Sequence, residues 1–118
     1  MTESISIRRR FQVWSYAVGH GLLLLRSTKN EEHDTQVDIL FTNVSFMSLP
    51  TLCEHVHIVE VPKEKLMNLP IQAGVLGIGD RNCYQVSGID WSGYVVAGTV
   101  RSVENTAEYF DRSALIEA

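Results

Sequence analysis

The chain has 118 residues, of which 45% are hydrophobic and 20% charged, and a formal net charge of -4. That composition predicts one folded domain over residues 1–118, not a disordered chain. No apolar run approaches the ~20 residues of a membrane span, and an acidic balance opposes a nucleic-acid surface, which needs basic charge.

The first seven residues lack the charged start and apolar run of a signal peptide. Cys53 and Cys83 do not form a CxxC pair. In a reducing cytoplasm both are expected as buried thiols, with a single disulfide as the alternative.

Ser4 to Arg10 opens with Ile5 and Ile7 in alternation, a strand pattern that runs into Phe11–Val18 through a bulge at Arg8-Arg9-Arg10. These arginines are the one basic cluster, expected as a solvated edge or as partners of Glu31, Glu32 and Asp34 in preference to a phosphate site. Val13, Trp14, Tyr16 and Val18 suit a pleated surface, and regular alternation puts Trp14 and Tyr16 on one face. Gly19-His20-Gly21 reads as a tight turn. Leu22 to Leu25 then places leucine on both faces, as an interior strand requires.

Ser27 to Thr35 is a polar surface loop, and Gln36 to Thr42 a third strand with Val37, Ile39 and Phe41 toward the core. Asn43 to Leu52 reads as a covering loop or a single helical turn. His55 to Val61 is a fourth strand, and Pro62 to Leu69 a short helix. Ile71 to Gly79 is glycine-rich and apolar. Cys83–Ser87 and Tyr94–Glu104 are the last strands, joined by a longer hairpin, with Gly98 marking a bend or bulge. Asn105 and Glu108 have the spacing of a helix-capping pair, which predicts a short helix near the C-terminus.

Short strands with little helix between them predict a mainly β (α+β) fold. The expected form is a curled antiparallel sheet or barrel of six or seven strands with one or two short helices.

His55-Val56-His57 is the sharpest chemical motif. Residues two apart on a strand share a face, so both imidazoles can reach one metal ion. A regular strand turns Glu54 and Glu60 away from them, so a bulge, or a residue from elsewhere such as His20, His33 or Asp80, would have to complete the site. The His-x-His pair resembles the opening of the cupin metal strand. The later glutamate and the second cupin motif have no counterpart here, so that family's activity is not carried over. Gly74-Val-Leu-Gly77-Ile-Gly79 has the wrong order and context for dinucleotide binding and reads as a close-packed turn. Cys53 lacks a nucleophile's surroundings and reads as structural. Trp14, Tyr16, Trp91 and Tyr94, each a flat apolar body with one polar atom, are the candidate ligand-binding set.

Trp14-Ser-Tyr-Ala-Val-Gly-His-Gly-Leu-Leu-Leu-Leu-Arg-Ser, followed by Val37-Asp-Ile-Leu-Phe, resembles small uncharacterised bacterial proteins of the kind found on mobile gene cassettes. The resemblance implies a cytoplasmic, compact, β-rich bacterial protein without an established activity. The expected function is therefore binding of a small ligand or a protein partner, with no cofactor implied. A homodimer is expected because sheet edges need cover. The alternatives are a small metal-dependent enzyme using His55 and His57, and an immunity-like or inhibitor interaction protein.

Overall fold

The structure, a computed structural model, describes residues 4–69 and 81–116. The glycine-rich stretch 71–79 lies outside the described residues. The strands are β1 (Ser4–Ala17), β2 (Leu22–Ser27), β3 (Gln36–Thr42), β4 (Phe46–Ser48), β5 (Leu52–Glu60), β6 (Asn82–Gly88), β7 (Trp91–Ala97) and β8 (Thr99–Asn105). They form one antiparallel sheet in the order β4-β7-β6-β5-β1-β2-β3-β8. The sheet is open, with β4 and β8 as its edges, so the barrel expectation is corrected, and it has eight strands instead of six or seven. The extra strands come from two segments. Asn43–Leu52 contributes β4, and the long final strand divides at Gly98 into β7 and β8.

Gly98 also makes the sheet curl. β7 stands next to one edge of the order and β8 is the other edge, yet a single residue separates them. The two ends of the sheet therefore meet at this corner. Backbone bonds stitch it: Gly98 N–H donates to Thr42 O at 2.8 Å, and Ser45 N–H to Val96 O at 2.9 Å. Asn43, at φ +54°, supplies the reversal in the facing segment.

Alternation buries Phe11, Leu23, Leu25, Ile39, Phe41, Val56, Ile58, Val86 and Val95 on the concave face. The expected interior strand is there: β2 lies between β1 and β3. Its second face is covered too, because Leu24 and Leu40, opposite each other on that face, are only 3% and 1% exposed. The cover is the segment after β8. Arg26 Nη1 donates to Tyr109 O at 2.6 Å, Arg101 Nη2 to Leu115 O at 3.2 Å, and Lys29 Nζ to Glu108 Oε1 at 2.9 Å. Beneath it Arg26 and Asp38 form a buried two-pronged pair, at 2.7 and 3.0 Å.

The covering segment is not the expected helix up to Ile116. Asn105 Oδ1 accepts from Ala107 N–H at 3.0 Å, and Asp111 Oδ2 from Glu108 N–H at 2.8 Å. Short polar side chains capture the amides that a helix would use, and turns result. The short helix after Pro62 is present as a 3-10 helix, Lys63–Asn68. The last hairpin is tighter than expected: Gly88 pairs directly with Trp91 across Ile89-Asp90, and Asp90 takes φ +61°. At the first turn Gly21 has φ +58°, and a Cβ there would sit 2.8 Å from Val44 N.

Candidate functional site

β1 carries the expected bulge at its arginines. Ile7 pairs with Val56 and Arg10 with Glu54, so Arg8 and Arg9 together face His55. His55 absorbs the irregularity at φ +60°, a left-handed conformation uncommon outside glycine. The β6–β7 turn braces it. Glu54 O accepts from Ile89 N–H at 3.0 Å and from the Trp91 indole N–H at 3.2 Å. Gly88 permits this approach, since a Cβ there would lie 2.4 Å from Glu54 O and 2.5 Å from His55 O.

The three arginines do different things. Arg9 is buried and donates to Ser27 Oγ (3.1 Å), Thr35 Oγ1 (3.0 Å) and Thr35 O (2.7 Å), with Glu104 at 3.8 Å. It ties β1 to the end of β2 and the start of β3. Arg10 is exposed and holds Glu54 Oε1 at 2.7 Å. Arg8 is exposed, with no ion-pair partner among the described residues. The expected pairing with Glu31, Glu32 and Asp34 is therefore corrected to Glu54 and Glu104, which the register brings closer.

Arg8, Arg9 and Arg10 line a cleft of about 340 Å³ with Glu54, His55, Asn30, Glu32 and His33. The last three come from the polar loop between β2 and β3. That loop is shaped by a turn: Asn30 Oδ1 accepts from the Glu32 and His33 amides at 2.8 and 2.9 Å. The cleft thus gathers guanidinium and imidazole groups at one place on an acidic chain. Such donors suit a carboxylate or phosphate, and an arginine can meet either with two parallel bonds.

The bulge also changes the His-x-His geometry. Glu54 and His55 now line the same cleft, whereas a regular strand would have opposed them. His57 pairs with Ser6 and Ser87, is exposed, and does not line the cleft. Among the described residues no three His, Cys, Asp or Glu side chains are grouped to hold a metal.

A second bulge displaces the aromatics. Val13 pairs with Leu25 and Ser15 with Leu24, leaving Trp14 as the extra residue. Its ring lies against Arg26, whose guanidinium carbon is 5.3 Å from the ring centroid, and it borders a cleft of about 180 Å³ with Gln12, Lys29 and Tyr109. Tyr16 pairs with Leu23, a concave-face residue, so the expectation that Trp14 and Tyr16 share a face is corrected. Trp91 packs on the core and braces the first bulge. Tyr94 lies between Gln85 and Ser48 in the ladder. Neither the arginine cleft nor the Trp14 cleft gathers these four aromatics.

Cys53 and Cys83 are buried free thiols. Cys53 Sγ donates to Pro50 O at 3.3 Å, and burial pushes its pKa up to about 11. Burial also raises that of Cys83. A nucleophile needs the opposite shift.

The arginine bulge is legible in the sequence as a break in alternation after Ile5 and Ile7. The Asn30, Glu32 and His33 side of the cleft carried no signal, because only the fold brings that loop beside β1. Compared with family models, curated proteins and solved structures, the chain matches none.

Proposed function

We propose that this chain is a binding domain whose ligand site is the cleft at the Arg8–Arg10 bulge, and that the ligand is a small molecule bearing a carboxylate or phosphate. The observation that carries this reading is the braced bulge. It holds Arg8 and His55 at the cleft while Arg9 is spent on structure and Arg10 on Glu54. Glu32 on the opposite wall offers an acceptor to a hydroxyl or ammonium elsewhere on the ligand. The volume is at the lower end of the usual ~300–1,000 Å³ for small-molecule sites.

A second reading, a protein-interaction module, is favoured by Tyr109 and Phe110. These aromatics are 59% and 70% exposed and pack edge to face beside the Trp14 cleft. Exposed aromatic anchors are typical of interface hot spots. Self-association through the sheet edges has a weaker basis. β4 is three residues long and β8 carries Arg101 and Glu104, both features that blunt an edge. The free thiols favour a reducing compartment.

A thermal-shift series at fixed ionic strength, using phosphate, citrate, succinate and chloride, tests the first reading. Phosphate or a multivalent carboxylate should raise the melting temperature above the chloride control, because anything that binds only the native state stabilises it. An equal response to all four anions contradicts it.

A further inference from the structure

The convex face of the sheet carries a third, larger cleft that shares no residue with the arginine site. It lies at the end of the leucine stripe, where Leu22 stays partly exposed beside the C-terminal segment. Leu22 forms its floor, with the buried Leu40 behind it, and Leu115 and Ile116 form one wall. Leu24, further along the stripe, is buried, whereas Leu22 is only partly so. The wall is held in place by its own bonds. Leu115 N–H donates to Ser113 Oγ at 3.2 Å, Ile116 N–H to Ser113 O at 3.1 Å, and Arg101 reaches across to Leu115 O. Ser113, which anchors this turn, is buried.

The cleft has a volume of about 600 Å³. Its polar lining is His20, Thr42, Arg101 and Arg112, with no carboxylate among the described residues. That is against the average of a chain with 14 acidic and 10 basic side chains. An apolar floor with the Arg101 guanidinium at its margin is complementary to an apolar body ending in an anion.

We propose that this cleft binds a single-chain amphiphile with an anionic head, of the class of a medium-chain fatty acid. The alkyl chain lies over Leu22, against Leu115 and Ile116, and the head meets Arg101. Arg101 pairs with Leu40 across the β3–β8 ladder, so head site and tail site are in fixed register.

Calorimetric titration with decanoate, kept below its micelle-forming concentration, tests this. 1-Decanol, decyltrimethylammonium and phosphatidylglycerol–phosphatidylcholine vesicles serve as the comparison probes. One decanoate should bind per chain, and decyltrimethylammonium should bind far more weakly. Arg101→Gln retains a donor for Leu115 O but loses the charge, and should weaken decanoate by about tenfold, as loss of a charged hydrogen bond does. It should leave decanol unchanged. Leu22→Glu, at a partly exposed position, should abolish decanoate binding in a protein that still melts cooperatively. No saturable decanoate binding, equal binding of the cationic amphiphile, or indifference to both substitutions would overturn the proposal. So would partition onto the anionic vesicles without binding of monomeric decanoate, which would make this face a membrane-docking surface.

Discussion

β1 contains two bulges only a few residues apart, and they are used in opposite ways. At Trp14 the extra residue turns onto the convex face and lays its ring against Arg26. That arginine is itself buried and paired with Asp38 and Tyr109 O, so the irregularity ends in packing. At Arg8–Arg9 one of the two displaced side chains is consumed in the same way, by Ser27 and Thr35, while the other faces a cleft. A bulge re-aims a side chain. Whether that serves stability or binding depends on what lies on the face to which it is re-aimed.

The largest effect that separates the two regions is expected at Asp38. Asp38→Ala leaves the Arg26 charge buried without its counter-ion and should destabilise by about 3–5 kcal/mol. Replacing the pair together, Arg26→Met with Asp38→Leu, should cost much less than Asp38→Ala alone. Urea denaturation of the three proteins measures this; equal losses in the single and double variants would mean that charge burial is not the cause. Leu24→Ala, in the leucine stripe beneath the same covering segment, should cost about 2–5 kcal/mol. A loss below about 1 kcal/mol would show that the convex face is not sealed at Leu24.

How much of this was legible follows from the physics of each signal. Alternation is local, so β1, β2, β3 and β5 could be read from spacing, as could the break at Gly98 and the arginine bulge. Register is less legible, because a one-residue slip inverts every later side chain. The second bulge, at Trp14, has no marker residue, and Tyr16 therefore lies on the face opposite to the one alternation assigns. The C-terminal segment shows a different limit. Asn105 and Glu108 have helix-capping spacing, but Asn105 and Asp111 take up amides within turns, and the segment gains its order from Arg26, Lys29 and Arg101 on distant strands. The cleft beside Arg8 needed the same long-range information, since its Asn30–His33 wall is contributed by a loop with no pattern of its own.

A smaller effect is expected from the thiols. Burial raises the pKa of Cys53 and Cys83, so folding favours their neutral forms. A raised folded pKa contributes stability that is complete below the unfolded value, 9.0 for Cys53, and is lost as pH rises toward about 11. Melting temperature should therefore fall between those limits, and Cys53→Ala, though less stable at neutral pH, should show a shallower fall. An unchanged slope would remove Cys53 as a contributor.

The smallest effect on stability is expected at Arg8 itself, and it coincides with the largest expected effect on binding. Arg8 is exposed and makes no ion pair among the described residues, so Arg8→Gln should change unfolding free energy by no more than about 0.5 kcal/mol. Calorimetric titration of inorganic phosphate into the parent and Arg8→Gln at one ionic strength is the most direct test of the arginine cleft as a ligand site. Saturable binding in the parent, weakened about tenfold or more in a variant of equal stability, is the predicted result. Absence of phosphate binding in the parent, or equal affinity in the two proteins, would contradict it.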